Sequence, residues 1–310
     1  MNPDYVNRVS AKLKINRADL LEKDLILHQI LTDLSNDGFF PKNFVFKGGT
    51  CLIKHYLGYL RFSEDIDFTW KDQTRFESKT SKTVSRELSG IIDDTGKVFE
   101  DIAKRRSLDF ECKKNDIHYV ELGGSNKTCT FKIWYQSDIL KKDAFIKVQI
   151  NLVEELCSES KVGRLTSILT AKDKELEALF PEHAEYSKTI QFPIYVLTEI
   201  LSEKIRALLT RQGIKARDFL DIYLIQKKKG IKPSEVEVCV IKKTNHALKL
   251  YEKYRTNLQV KIKLLEKDQL FEWGEEKDLL LSKIDEKDFY NFITEFTEYL
   301  KELVKKFDAS

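Results

Sequence analysis

Phe44-Val45-Phe46-Lys47-Gly48-Gly49-Thr50 and, eleven residues after Thr50, Arg61-Phe62-Ser63-Glu64-Asp65-Ile66-Asp67-Phe68 are the two stretches from which the rest of the chain is read. The first is an apolar run entering a Gly-Gly turn, the pattern of a short buried strand that hands over to a helix. Glycines let a backbone approach a phosphate closely, and a helix start offers unpaired N–H groups. Thr50 adds a hydroxyl and is placed to cap a helix from Cys51 to Leu57, which Gly58 stops. In the second stretch, Ile66–Trp70 reads as a strand. Alternate residues of a strand share a face, so Asp65 and Asp67 point together while Ile66 and Phe68 face the core. Two carboxylates side by side repel, and a hard divalent cation relieves the repulsion. Each half has a bland reading on its own, a connecting turn and an exposed acidic strand. Their succession favours a site for a metal-bound nucleotide.

Outward from this stretch the first half mixes helices and strands. Residues 11–35 and Ser81–Lys104 carry helical spacing, and Ile117–Leu122, Cys129–Tyr135 and Ala144–Val153 read as strands, partly joined by hairpins. After Ile190-Gln191-Phe192-Pro193 the texture becomes helical: Val196–Arg211, Ala216–Lys228, Pro233–Val240, His246–Lys267 and Lys287–Phe307. The expected class is α/β, with a mixed-sheet domain over 1–195 and a helical domain over 196–310. The chain has 310 residues, 42% hydrophobic and 33% charged, which is enough apolar material for a core and too much for disorder. No apolar run reaches the roughly 18–20 residues of a membrane span. The N-terminus lacks the pattern of a secretory signal. Five scattered cysteines without a CxxC motif support neither a zinc site nor a disulfide framework, so a reduced, cytoplasmic protein is expected. The five histidines are dispersed without metal-ligand spacing. Walker and Gly-x-Ser-x-Gly motifs are absent.

The net charge of +3 is uninformative, but its distribution is not. Residues 200–267 hold 17 Lys and Arg against 7 Asp and Glu, whereas 268–310 hold 6 against 12. A basic helical region suggests a polyanion partner, with solvated helix faces as the alternative. Within it, Lys204 and Arg211 are seven apart and share a helix face. Asp218 and Asp221 are three apart and neighbour each other on the next helix. Lys and Arg suit triphosphate oxygens and the charge that grows during transfer, and ordinary interhelical ion pairing is the competing reading.

The Lys47-Gly48-Gly49-Thr50 turn, the Ser63-Glu64-Asp65-Ile66-Asp67-Phe68 strand and the segment Glu203-Lys204…Arg217-Asp218…Asp221 together resemble the AbiEii toxin family, which includes the MenT toxins, within the polymerase-β-like nucleotidyltransferase superfamily. The resemblance implies a polymerase-β-like α/β domain followed by a helical one. By it, Lys47, Gly48, Gly49, Thr50, Lys204 and Arg211 bind the nucleotide, and Asp65 and Asp67 bind Mg²⁺ or Mn²⁺. Lys204 contacts the triphosphate, Asp218 belongs to the same cluster as a catalytic group, and Arg217 and Asp221 orient it. Related enzymes often carry a third carboxylate on a strand like Ala144–Leu152. Here Gln149 stands there, on the face of Lys147 and Asn151, and an amide cannot act as a base. Ser63 lies on the face of Asp65, where phosphorylation would add up to about −2 charge and disrupt the site.

The implied activity is Mg-dependent transfer of NMP from an NTP to RNA, the tRNA 3′ end, by the toxin of a toxin–antitoxin or phage-defence system with a cognate antitoxin. Two alternatives stand beside it: a phosphotransferase on the same fold, and a non-catalytic NTP- or RNA-binding module, which Gln149 favours.

Overall fold

The computed structural model describes residues 1–169 and 173–307, which divide into two compact units. The first holds 1–153 and 160–194, and the second holds 154–159 and 195–310.

In the first unit α1 (Pro3–Leu13) starts with Pro3 in its first turn, where a missing N–H costs nothing, and with the Asn2 side chain accepting from the Asp4 N–H. It is followed by α2 (Ala18–Asn36), α3 (Phe40–Asn43), β1 (Phe44–Lys47), α4 (Gly48–Cys51) running into a π-helix over Leu52–Leu57, and β2 (Asp65–Trp70). The long α5 (Ser81–Arg106) is capped by Thr80, whose hydroxyl accepts from the Thr83 N–H. Strands β3 (Val120–Gly123), β4 (Thr128–Ser137), β5 (Lys142–Asn151) and β6 (Lys161–Leu165) follow, then α6 (Lys174–Leu179) and β7 (Ile190–Ile194). The sheet has seven strands in the order β3-β4-β5-β2-β1-β7-β6. β2 is antiparallel to β1 and parallel to β5, and β1 is parallel to β7. This arrangement is a mixed α/β sheet, as expected.

The core lies on the face where Phe46, Ile66, Phe68, Phe131, Ile133, Ile146 and Val148 are buried. The helices α2 and α5 contribute Leu25, Leu31, Phe99 and Ile102 to the same unit's core. Rings of Phe40, Phe44, Phe68 and Phe99 meet at centroid distances of 4.5–6.3 Å, within the range of favourable aromatic pairs. One polar cluster is sealed inside. Lys54, on the π-helix, pairs with Asp24 of α2 at 3.0 Å, and the Tyr59 hydroxyl donates to the same carboxylate at 2.8 Å. One turn further along α2, His28 is buried, and its Nε2–H donates to the Lys188 carbonyl at 3.0 Å.

The second unit contains α7 (Leu197–Thr210), α8 (Ala216–Lys229), α9 (Glu237–Leu250), α10 (Glu252–Glu266) and α11 (Glu286–Val304). Phe219, Tyr223, Phe289, Phe292 and Phe296 form its aromatic core. The last carbonyl of α7 and one in the loop after it are satisfied from α10: Asn257 donates to the Thr210 carbonyl at 2.8 Å, and the Lys261 ammonium donates to that of Gln212 at 3.1 Å. Tyr223 is buried and donates to Asp288 at 2.6 Å, so it serves the core.

Three sequence expectations are corrected. Thr50 is no cap, because the helix begins at Gly48 and Thr50 lies inside its first turn. Arg211 does not share a helix face with Lys204: α7 stops at Thr210 and Arg211 is extended. The cysteines are not all reduced, since Cys157 and Cys239 form a disulfide across 82 residues, a separation at which no local motif exists. It ties segment 154–159 to α9 beside a buried Lys243–Glu199 ion pair (2.6 Å). Cys157, Glu199 and Cys239 lie close enough to suggest a metal site, but the disulfide and the Lys243 ammonium already occupy their ligand atoms.

Candidate active site

The candidate site of the first unit is assembled by strand register. Lys47 lies opposite Asp67 across the β1–β2 ladder, so the residue that ends β1 and the second carboxylate are direct neighbours. The next residue, Gly48, has φ +76°, in the left-handed region that a side chain disfavours. A Cβ on Gly48 would run into the Asp67 carboxylate, and one on Gly49 would meet the Arg61 guanidinium at 2.8 Å. Both glycines are therefore required by close approach: the turn is pressed against Asp67 on one side and Arg61 on the other. Thr50 is buried, and its hydroxyl bonds to the Asp65 carbonyl and to Ser63 Oγ (2.8 Å). Its role in this structure is to fasten the turn to β2 between Ser63 and Asp65.

Asp65 and Asp67 are both half-buried on one face of β2, and Ile66 and Phe68 are buried on the other. On the far flank, β5 runs parallel and places Lys147 beside Asp65 and Gln149 beside Asp67. The position expected for a third carboxylate thus holds an amide next to Asp67. Arg61, four residues before Asp65, and Lys47, opposite Asp67 in the ladder, are both almost fully buried, at 2% and 3% exposure. Arg61 Nη1 donates to the Phe62 carbonyl at 2.7 Å. Sequence reasoning left Arg61 without a role. The signal was the period of two that links Arg61, Ser63, Asp65 and Asp67.

The donor set fits a hard divalent cation. Two half-buried carboxylates share one strand face beside the Gly48-Gly49 turn, and Mg²⁺ takes one or two carboxylates plus phosphate oxygens.

The residues singled out in the second unit form a tight ionic cluster. Lys204 of α7 pairs with Asp218 at 2.9 Å and Asp221 at 2.6 Å, both on α8. Arg211, from the loop between the helices, pairs with the other Asp218 oxygen at 2.9 Å. Burial opposes the charged form of Asp218. The Lys204 and Arg211 cations outweigh it and hold the carboxyl well below the usual carboxylate range. Asp221 faces Lys204 as directly as Asp218 does, so it is a full member of the cluster. The position of Arg217 in α8 is as the sequence suggested, beside Asp218 in the chain.

A Gly-Gly turn pressed against paired carboxylates on a mixed sheet is compatible with nucleotide chemistry, and the class, nucleotidyltransferase, is given by the family the chain matches. The family model described as "Nucleotidyl transferase AbiEii toxin, Type IV TA system" matches residues 29–309, and the chain belongs to this family. Two solved structures are similar over most of their length. One is JHP933 from Helicobacter pylori, with 16% identity, a TM-score of 0.44, and coverage of 93% of this chain and 94% of that one. The other is a proposed nucleotidyltransferase of H. pylori, with 17% identity, a TM-score of 0.45, and coverage of 94% and 99%. No curated protein matches the chain. Among the described residues no helix is long and apolar enough to cross a membrane.

Proposed function

We propose that this chain transfers a nucleotide from an NTP to an RNA acceptor, the 3′ end of tRNA, as the toxin of a toxin–antitoxin system serving phage defence. The observation that carries the reading is the Gly48-Gly49 turn packed against Asp67, with Asp65 and Asp67 on one strand face. Asp65 and Asp67 would hold Mg²⁺ or Mn²⁺, which when bound neutralises charge on the reacting phosphate and the departing pyrophosphate. The backbone N–H groups of the turn, with Lys47, bind the β- and γ-phosphates, and Arg61 braces the turn from below. Gln149 can orient the acceptor hydroxyl by hydrogen bonding, but it takes no proton. Lys204, Asp218 and Arg211 are assigned to the same reaction by family resemblance, with Lys204 as the triphosphate contact and Asp221 and Arg217 in support.

The basic charge of residues 200–267 supports a nucleic-acid acceptor, although Lys204, Arg206, Lys243 and Lys261 are buried and do not contribute to an exposed surface. The products distinguish this reading from a phosphotransferase. Nucleotidyl transfer releases pyrophosphate, whereas γ-phosphate transfer releases a nucleoside diphosphate. Incubating the protein with each NTP and total RNA, and separating the released species, tests it. Nucleoside diphosphate without pyrophosphate would replace the proposal with the phosphotransferase.

A further inference from the structure

The outward face of the sheet carries more than the carboxylates. β5 pairs with β4 so that Lys147 lies opposite Lys132, and Phe145 lies opposite Trp134. Register therefore orders three rows on one face, each about 7 Å from the next, the repeat of alternate strand residues. The first is Asp67–Gln149–Thr130, the second Asp65–Lys147–Lys132, and the third Phe145–Trp134. The intervening Phe131, Ile133, Ile146 and Val148 fill the core on the opposite face, so the core does not account for the aromatic row.

That row is rigidly built. The Trp134 backbone exchanges both hydrogen bonds with Asp109 (2.9 and 2.8 Å), and its indole N–H donates to the His118 carbonyl at 2.9 Å. The His118 ring lies on the indole with centroids 4.3 Å apart and planes within 3° of parallel. Phe145 leans on Trp134, with ring centroids 4.7 Å apart. Lys132 anchors the segment that carries His118, donating to the Ile117 carbonyl at 2.8 Å and pairing with Glu121. Lys147 is half-buried and forms no ion pair with a carboxylate among the described residues. His118 itself is exposed, and its neighbour Ile117 is 75% exposed.

We propose that His118, Trp134 and Phe145, with Lys147, form a stacking platform for the terminal bases of a single-stranded RNA acceptor. The inference rests on the nucleotidyl-transfer reading above and adds to it where the acceptor is held. In-line displacement requires the attacking oxygen to approach opposite the departing pyrophosphate. The Gly-Gly turn that would take the pyrophosphate flanks β2 on the β1 side. The acceptor must come from the β5–β4 side, where the lysine and the rings lie. Aromatic faces stack on any base, and a lysine among them binds the backbone phosphate, which is how single strands are held without sequence readout.

The test measures binding of a labelled 12-nucleotide single-stranded RNA by filter retention, and NTP binding by equilibrium dialysis, for wild type, His118→Ala, Phe145→Leu and Lys147→Gln. His118→Ala removes an exposed ring, so it leaves the fold intact even if Phe145→Leu does not. His118→Ala is expected to raise the RNA Kd about ten-fold and to leave NTP binding unchanged. Lys147→Gln is expected to lower the slope of log K against log salt by about 0.7, one phosphate contact to a single strand. Wild type that labels RNA from an NTP, with RNA Kd unchanged in His118→Ala and Phe145→Leu, would overturn the platform alone. Weakened NTP binding with unchanged RNA binding would assign the rings to the nucleotide's base and also overturn it. Wild type that labels no RNA would remove the nucleotidyl-transfer reading beneath it.

Discussion

Replacing Lys204 by Met removes the cation that two buried carboxylates share, at nearly constant volume. Asp218 and Asp221 are 4% and 1% exposed, and Lys204 reaches them at 2.9 and 2.6 Å. Arg211 and Arg217 still act on Asp218, but the Arg211 side chain is 43% exposed, so it compensates weakly. Breaking a buried pair by deleting one partner typically costs about 3–5 kcal/mol, because the remaining charge has lost its solvent. The second unit should be destabilised by that amount, read from urea unfolding followed by pulsed hydrogen exchange of α7 and α8 amides. The pH dependence should also reverse sign. In the wild type Asp218 titrates below its unfolded value, so its contribution is present above about pH 4 and is lost as pH falls further. In Lys204→Met burial acts on Asp218 with less opposition and raises its carboxyl. The deficit should then shrink as pH is lowered from 7 towards 4.5, since a protonated acid is cheaper to bury. A loss under about 1 kcal/mol, or a deficit constant across that range, would refute the reasoning.

Gly48→Ala should abolish measurable activity and destabilise the first unit by about 1–3 kcal/mol, since it strains the left-handed backbone and displaces the Asp67 carboxylate. Gly230→Ala, with φ +72° and open space around the Cβ, is the control that suffers only the backbone strain, and it should keep its activity. His28 is held neutral down to about pH 3, chiefly by burial and then by the Lys54 charge. The unfolded chain takes up a proton there below about pH 6.5 while the folded chain does not, so the first unit should lose about 2 kcal/mol between pH 7 and pH 5. His28→Gln should remove that slope in a pH series of urea melts. Reducing Cys157–Cys239 frees a loop of 82 residues and should lower the stability of the second unit by up to about 4 kcal/mol. Identical melting with and without reductant would contradict that.

Much of the candidate site was legible because its signals are local. A Gly-Gly turn after an apolar run and a DxD on a strand each need only a few adjacent residues, and the structure brings Gly48 against Asp67 and Lys47 opposite it. The β4–β5 hairpin and α5 were legible for the same reason. The misses are non-local or weakly patterned. β6 is a five-residue edge strand with Val162 70% exposed and a glycine at its centre, and β7 contains Pro193, so neither carries strand periodicity. The Lys204 cluster was read as a helix face, but Arg211 reaches Asp218 from the loop beyond α7. Segment 154–159 lies in the chain between β5 and β6 yet packs with the helices, held by its disulfide to Cys239, the Cys157 N–H donating to Glu199 and the pairing of Glu155 with Lys242. The charge count over 200–267 overstated the basic surface because it cannot separate solvated lysines from Lys243 and Lys261, which are buried.

The most direct test of the account is to incubate the purified protein with Mg²⁺, total tRNA and each α-³²P-labelled NTP in turn, beside Asp67→Asn. Label entering RNA with wild type and not with Asp67→Asn is the predicted result, and it would also identify the nucleotide. Label in RNA that persists in Asp67→Asn, or no label with any NTP while NTP binding is retained, would contradict the assignment of the Asp65–Asp67 face as the centre of nucleotide transfer.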